Sequence, residues 1–384
     1  MSTLKTTNLQ NASAASPAIV LAADGSATAQ LSSINGGPLA GSRNRIINGD
    51  MRIDQRNAGA SVTPGSATYV IDRWKNILNL TSKYSVQRNA GSVTPPAGFT
   101  NYLGITSLSA YSVTGNETYS IEQVIEGFNV ADLNWGTANA LPCTLSFWVR
   151  SSLTGTFGGS IATTKTAIWV MPFTYTISSA NTWTYVTVSI TAPTSTGGAN
   201  TDNTDGVFVR FGLGSSGTLS GGTAGVWTNA NNFVQPSGTV SVVGTNGATF
   251  YITGVQLEPG TVATPFERID YSESLRRCQR YYFKTYNQSV VPGASGSSAT
   301  YRTRAYAGSY ASATVQFPVL TRTVPTCTVY NPHTGATNSW RDVDSSADRT
   351  AGISTALDSA VVTESSSVTT NTSNLFHIVA TAEL

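Results

Sequence analysis

Short runs of alternating apolar and polar residues fill the chain from residue 46 to about 269, separated by clusters of Gly, Pro, Asn and Ser. Alternation with a period of two places successive side chains on opposite faces of a β-strand. Because the runs recur without a fixed repeat length, they favour an antiparallel jelly-roll sandwich over a β-helix or a propeller. The clearest runs are 83–88, 119–125, 144–150, 168–177, 185–191, 207–213, 239–243 and 249–257.

The surface chemistry of the chain narrows the function classes. Only 11% of the 384 residues are charged, against about a quarter in average proteins, so hydroxyl and amide groups must keep the surface hydrated. The net charge of +2 is spread thinly, which argues against nucleic acid or an anionic membrane surface as a partner. No apolar run is long enough for a membrane span, and we expect no membrane insertion. The first residues do not resemble a signal peptide, so synthesis in a cytoplasm is expected.

Few residues suit catalysis or metal binding. The three cysteines (Cys143, Cys278 and Cys327) are far apart in sequence, which indicates buried apolar side chains and no metal or redox motif. His333 and His377, the two histidines of the chain, both lie late in the sequence, one in a turn and one in a strand pattern. We therefore predict no enzyme, no catalytic residues, no metal site and no cofactor.

Carboxylates need separate attention because glycan-cleaving enzymes use a pair of them. Asp54 and Asp72 each lie within two residues of an arginine, which predicts ion pairs that fix loops. A structural calcium held by oxygens such as those of Asp50 and Glu258 is an alternative. The other carboxylates considered are Glu117, Glu122, Glu126 and Asp132.

Three of the predicted strands place aromatic or arginine side chains on the face opposite their aliphatic residues. Such a face fits a further layer of core packing, an interface between subunits, or a platform on which sugar rings stack. For the platform, the candidate ligand-binding residues are Trp148, Arg150, Tyr185, Phe208 and Arg210.

The stretch 44–74, which contains NRIINGDMRIDQR and ends in DRW, is predicted to form a strand, a corner at Asn48 and Gly49, a second short strand and a loop leading into another strand. Its sequence resembles that of bacteriophage tail-fibre-like virion proteins with a carbohydrate-binding-module-like jelly-roll domain. The same resemblance extends to ITGVQLEPGTVATPFE inside 250–271 and LRRCQRYY at 275–282.

The resemblance implies that the closing strand lies beside the opening one, with Val255 and Leu257 against Ile47 and Met51. It also implies that the charges of the opening stretch attach the loop to the closing segment. The leader TTNLQNASAASPAIVLAADG resembles the segment by which such proteins join other virion parts.

We predict an all-β protein with an extended N-terminal leader, a jelly-roll β-sandwich and a small C-terminal β-sandwich. Apolar alternation in the last hundred or so residues predicts strands at 301–310, 313–320, 326–331 and 375–382. The predicted divisions are 1–43 for the attachment leader, 44–271 for the jelly roll, 272–282 for a short connecting helix or strand entry, and 283–384 for the C-terminal sandwich and possible receptor-binding tip.

The resemblance implies a structural and adhesion protein of a phage virion, a tail fibre that recognises host surface glycan. Alternatives are a head fibre, decoration or connector protein without receptor binding, and a polysaccharide depolymerase. The expected partners are two further copies in a homotrimer, other phage tail or virion proteins through residues 1–43, and host cell-surface polysaccharide. The expected location is the phage tail after synthesis in the host cytoplasm.

Overall fold

The protein is described from a computed structural model. The described residues are 8–9, 19–21, 23–24, 27–29, 42–296, 300–305, 310–366 and 368–384.

The regular secondary structure of the described residues is almost entirely antiparallel β-strand, which confirms the predicted all-β class. Four short 3-10 helices interrupt the loops at Ala90–Ser92, Gly127–Asn129, Ala131–Leu133 and Gly217–Leu219. The strands before the α-helix are β1 (Asn8–Leu9), β2 (Ile19–Leu21), β3 (Ala27–Ala29), β4 (Thr68–Ile71), β5 (Trp74–Leu78), β6 (Tyr84–Arg88), β7 (Leu103–Ser107), β8 (Thr118–Glu126), β9 (Cys143–Ser151), β10 (Gly155–Thr163), β11 (Trp169–Ile177), β12 (Thr184–Ile190), β13 (Asp205–Ser215) and β14 (Thr249–Pro259).

Strands β4 to β14 form two sheets that pack face to face as the jelly-roll sandwich. The first sheet has six strands in the order β11-β10-β13-β8-β5-β4, and the second has five in the order β12-β9-β14-β7-β6. Strands β1 to β3 pair separately as a small sheet in the leader. The inner faces of the two large sheets meet in one apolar core that includes Trp74, Phe147, Phe211 and Phe250.

Alternation explains which side chains enter this core. On β9, Leu145, Phe147 and Val149 are fully buried, while the residues between them point to the outer face. Burial of each large apolar side chain stabilises the sandwich by about 1.5–3 kcal/mol. The alternation that predicts the strands therefore also places the apolar side chains whose burial holds the two sheets together.

The opening stretch differs from its prediction because residues 44–53 form no strand in the described structure. The chain instead turns through Asn48 and Met51, both with a φ of 58°. Asn48 holds the turn through its side chain, which accepts from the Ile53 amide and donates to the carbonyls of Ile53 and Asp72.

The closing strand does lie beside this stretch. The amide of Arg45 donates to the carbonyl of Leu257, and the amide of Val255 donates to the carbonyl of Gly49. Asn44 adds side-chain hydrogen bonds to the backbone of both closing residues. The neighbouring segments are as the resemblance implied: the backbone hydrogen bonds run through Arg45 and Gly49, and Met51 is buried in the same core as Val255 and Leu257.

Asp72 and Arg73 form the two-residue turn between β4 and β5, where a continuous strand start was predicted. Arg73 has a φ of 70°, which is uncommon for a residue with a side chain. The guanidinium pairs with the carboxylate of Glu383 and lies 3.6 Å from the ring centroid of Tyr281. These contacts attach the turn to Tyr281 and to Glu383 near the end of the chain.

The helix α1 (Tyr271–Gln279) follows the jelly roll. Its first turn is capped by the carboxylate of Asp270, which accepts from the amide of Ser272. Cys278 is buried against the fold, and burial raises the pKa of its thiol well above the ordinary value. Among the described residues, no helix is both long and apolar enough to cross a membrane.

The C-terminal part is a second, smaller β-sandwich around a core of its own that includes Trp340, Phe376 and Ile378. Strand β23 is its centre, since four other strands pair with it. Part of the predicted strand 301–310 lies outside the described residues. The strands are β15 (Tyr282–Lys284), β16 (Tyr301–Arg304), β17 (Ala311–Gln316), β18 (Thr326–Tyr330), β19 (Ser339–Asp342), β20 (Ala347–Thr350), β21 (Gly352–Ala356), β22 (Ala360–Ser365) and β23 (Ser373–Thr381).

Candidate functional site

An aromatic pair stands on the outer face of the five-stranded sheet. Trp148 on β9 lies directly opposite Tyr185 on β12 in the strand register. Their ring centroids are 5.2 Å apart and their planes are tilted by 46°. Tyr185 is 45% exposed and Trp148 is half-buried, so both rings present apolar surface outside the core.

A second aromatic pair lines the same groove as the first. Phe99 comes from the loop before β7, and Phe266 comes from the segment after β14. Their ring centroids are 5.2 Å apart in an edge-to-face arrangement, which aromatic rings prefer. The four rings come from four separate parts of the chain and line one groove.

A glycine at a β-bulge lets the two pairs approach. Gly254 lies where the pairing of β14 with β9 shifts register, and its φ is 62°. A Cβ atom at this position would come within 2.6 Å of the Phe99 ring and 3.2 Å of the Trp148 ring. Glycine is therefore required both by the backbone conformation and by the space between the aromatic pairs.

The segment that carries Phe266 is fixed by hydrogen bonds from its neighbours. The carboxylate of Glu258 accepts from the amide and the hydroxyl of Thr264. Gln256 accepts from the amide of Glu267, whose own carboxylate accepts from the amide of Asn44. The phrase VQLEPGTVATPFE thus encodes a strand whose outward polar side chains hold the following segment in place.

One cation lies at the edge of the groove. The guanidinium carbon of Arg268 is 4.8 Å from the ring centroid of Phe99 and 5.8 Å from that of Phe266, which are cation–π distances. Gly98 makes room for it, because a Cβ there would lie 2.9 Å from the guanidinium. Arg268 is exposed, so a ligand in the groove can reach it.

The groove has a volume of about 450 Å³ and no carboxylate in its wall among the described residues. Aromatic faces with a few polar groups at the edge are suited to holding a flat, partly apolar ligand such as a sugar ring. The lining residues are Phe99, Ser146, Trp148, Tyr185, Gly254, Ala263, Thr264, Pro265, Phe266 and Arg268.

The five predicted platform residues do not share one face. Trp148 and Tyr185 line the groove, and Arg150 lies on the same sheet beyond it, where its guanidinium donates to the carbonyl of Asn181. Phe208 and Arg210 point outward from β13, which belongs to the six-stranded sheet on the other side of the sandwich. The idea of a single platform over three strands is wrong, because the sequence pattern does not specify which strands share a sheet.

Phe208 and Arg210 are also covered by another part of the chain. Phe208 packs beside Phe233, and Arg210 is only 7% exposed. The guanidinium pairs with the carboxylate of Glu122 at 3.1 Å and donates to the side-chain oxygen of Asn232. These contacts make the arginine part of the folded core layer and leave it little surface for a ligand.

The residues that the sequence analysis missed are Phe99, Gly254, Phe266 and Arg268. Phe266 and Arg268 lie in the ATPFER phrase at 263–268, part of the sequence that resembles the phage proteins. Phe99 lies in a proline-rich loop with no strand pattern. A signal was therefore present for two of the four, in the aromatic and basic residues spaced two apart after the closing strand.

The charged residues of the opening stretch serve folding. Asp54 accepts from the backbone amides of Arg56, Asn57 and Gly59, and it forms none of the predicted ion pairs among the described residues. Asp72 accepts from the amide and side chain of Gln55. Burial raises the pKa of Asp72 to about 6, although the Arg56 charge and the bonds from Gln55 oppose the shift.

The charged residues of the opening stretch are predicted to attach the loop to the closing segment, but two of them bind elsewhere. Arg56 and Arg73 both reach the carboxylate of Glu383 after the last strand of the C-terminal sandwich. By contrast, Arg52 does reach the closing segment, since its guanidinium pairs with Asp50 at 3.1 Å and donates to the carbonyl of Ile269. The opening stretch therefore joins the two sandwiches as well as closing the first.

The other candidate groups are occupied by structural contacts. Glu126 accepts from Arg280 and from the hydroxyl of Tyr281. His377 is buried against the ring of Tyr286, with centroids 3.7 Å apart, and burial lowers its pKa to about 4. In the part of the chain that the structure describes, no three His, Cys, Asp or Glu side chains group as metal ligands.

No protein-family model matches this sequence, and no curated protein matches it significantly. Solved structures share a similar strand arrangement over about half of the chain. A tailspike protein 4 domain of bacteriophage CBA120, described as enzymatically active, has 13% identity and a TM-score of 0.33, covering 56% of this chain and 21% of that one.

Two further similar structures come from Clostridium thermocellum. Its family 11 carbohydrate-binding module has 12% identity and a TM-score of 0.26, covering 53% of this chain and 98% of that one. Its xylanase 10B CBM22-1–GH10 modules, solved with xylohexaose, have 13% identity and a TM-score of 0.26, covering 52% of this chain and 28% of that one. Likenesses this distant carry no inference about what this chain binds.

Proposed function

We propose that the protein binds carbohydrate chains in the groove between the Trp148–Tyr185 pair and the Phe99–Phe266 pair. The observation that carries the proposal is the Trp148–Tyr185 pair itself, two partly exposed rings that the register of adjacent strands places side by side. Sugar rings have apolar C–H faces that pack on aromatic rings, and hydroxyl groups that remain hydrated at an open groove. Strand-borne rings lose little freedom when a ligand stacks on them, which favours binding.

A glycan array followed by calorimetry on the best ligand tests this proposal. Trp148→Ala and Tyr185→Ala should each weaken binding by about tenfold or more, as removal of a central aromatic contact does. Phe128→Ala is the matched control, because Phe128 is an aromatic residue outside the groove with 59% of its surface exposed. Unchanged affinity in both groove variants would exclude this site.

We further propose that the chain is a component of a phage virion, a tail fibre that recognises host surface glycan as a homotrimer. The sequence phrases at 44–74, 250–271 and 275–282 support this role, as does the aromatic groove on the jelly roll. In this proposal the leader 1–43 joins other virion proteins. The C-terminal sandwich, residues 283–384, extends the fibre, and the jelly-roll groove faces solvent in the trimer.

Two measurements address the virion role. The mass of the intact protein in solution should correspond to three chains. Micrographs of particles labelled with an antibody against residues 283–384 should show label on the tail. Label on the capsid would instead support a head fibre, decoration or connector protein.

A further inference from the structure

The groove wall carries the positive charge of Arg268. Among the described residues, the side chain of Arg268 forms no ion pair and no hydrogen bond, and its contacts are the faces of Phe99 and Phe266. The donor groups at the edge of its guanidinium are therefore available to a ligand. No carboxylate lines the described groove wall to balance the charge.

The acids around the groove already have partners. Asp50, which interacts electrostatically with Arg268, forms an ion pair with Arg52. Glu267 accepts from the backbone amides of Arg43 and Asn44, and buried Glu258 accepts from Thr264. These carboxylates are committed to holding the loop segments.

A second cation extends the positive character along the sheet. Arg150 lies two residues after Trp148 on the same face, and its guanidinium is 5.4 Å from the ring centroid of Tyr251. Its Nε donates to the carbonyl of Asn181, which leaves the rest of the guanidinium without an acid partner among the described residues. Cations therefore stand both at the Phe99–Phe266 side of the groove and beyond the Trp148 ring.

We propose that the groove selects an acidic polysaccharide. A sugar ring of this polysaccharide lies on Trp148 or Tyr185, while one of its carboxylates binds Arg268. The inference rests on the proposed carbohydrate binding and adds the class of ligand. A guanidinium matches a carboxylate through two parallel N–H···O bonds, and one arginine balances one such charge. The aromatic faces beneath Arg268 restrict its movement, so less freedom is lost when the carboxylate binds.

Arg268 can be tested separately from the groove itself. The segment that carries Phe266 is held by Thr264, Glu267 and their partners, none of which needs the Arg268 side chain. Arg268→Gln removes the charge but keeps a polar chain of similar width, and Arg268→Lys keeps the charge without the paired donors. Both variants should fold, which thermal unfolding checks.

The experiment compares acidic polysaccharides with their own carboxyl-reduced forms on the full chain. Polygalacturonate, alginate and hyaluronan serve as probes, and dissociation constants are measured on immobilised polymer. At least one acidic polymer should bind about tenfold more tightly than its reduced form, since charge-assisted hydrogen bonds contribute on that order. Raising NaCl from about 0.05 M to about 0.5 M should reduce the preference, because salt screens exposed charges.

The variants separate the possible outcomes. Arg268→Gln should bind the acidic and reduced polymers about equally, Arg268→Lys should keep part of the preference, and Trp148→Ala should lose both kinds of binding. Equal binding of acidic and reduced polymers by the unmodified protein would overturn the charge selection and leave carbohydrate binding intact. A preference that survives in Arg268→Gln would also overturn it. Failure of every polymer to bind counts against the carbohydrate proposal itself.

Discussion

The two outer faces of the jelly roll start from nearly the same sequence and end in different environments. FWVR at 147–150 and VFVR at 207–210 both turn an aromatic ring and an arginine out of the core. On the five-stranded sheet the ring of Trp148 borders an open groove, whereas on the six-stranded sheet Arg210 is buried and the partly buried Phe208 packs against the cluster of Ala162, Val170 and Phe233. The alternation of residues along a strand determines which side chains point away from the core. Whether those side chains reach solvent depends on whether a segment distant in sequence covers them.

The covering segment is the loop 231–236, which lies against glycines on the six-stranded sheet. A Cβ on Gly212 would lie 1.7 Å from the side-chain oxygen of Gln235, and one on Gly158 would lie 2.9 Å from Pro236. Because these glycines have no side chains, the loop can pack directly against the backbone of the sheet. The five-stranded sheet keeps Ser146 and the bulged Gly254 beneath an open groove instead.

The largest expected difference between the faces concerns their arginines. Arg210→Ala should lower the free energy of unfolding by about 3–5 kcal/mol, because it leaves the buried carboxylate of Glu122 without its partner. Arg150→Ala, the matched change on the open face, should cost less than about 1 kcal/mol. Urea unfolding of both variants measures this, and equal losses would contradict the distinction between a covered and an open face.

The aromatic residues should separate stability from binding. Phe208→Ala removes packing against Phe233 and should cost about 2 kcal/mol, somewhat less than full truncation of a core phenylalanine. Its affinity for a glycan ligand should not change. Trp148→Ala should show the reverse pattern, with a loss of binding and a smaller loss of stability. If Phe208→Ala weakens binding while the protein stays folded, the six-stranded face contributes to the site after all.

The smallest expected effects come from a pair of glycines. Gly254→Ala should cost about 1–2 kcal/mol, because alanine is disfavoured at a φ of 62° and its Cβ would meet Phe99. It should also weaken glycan binding severalfold by moving that ring. Gly212→Ala should destabilise by a similar amount through Gln235 while leaving affinity unchanged. Thermal unfolding and calorimetry on the same two variants test both statements.

Most of the strands could be predicted because they alternate strongly. The exceptions are informative, since 239–243 alternates in the same way yet forms no strand, and its Val242 and Val243 enter the core from a loop. Strand β10 was missed because GTFGGSIAT has three glycines and a weak apolar pattern. Close packing of Pro236 and Gln235 on that glycine surface, which no local pattern reveals, explains why a strand with such low propensity is stable there.

The candidate site was predictable only in part. Trp148 and Tyr185 could be placed outside the core because each lies between aliphatic neighbours, and their mutual contact then required the register of β9 with β12. Phe99 and Arg268 join the site through loops whose conformations depend on Gly98, Gly254 and the hydrogen bonds of Thr264. Loop positions of this kind are set by contacts distant in sequence.

The sequence by itself determined the all-β class, the outward direction of Trp148 and Tyr185, and the scarcity of groups suited to catalysis. Only the tertiary structure decided that Phe208 and Arg210 belong to the opposite sheet, and that Phe99, Phe266 and Arg268 complete the groove. The physical reason is that side-chain direction follows from the local period of a strand, whereas the order of strands and the covering of their faces follow from long-range packing.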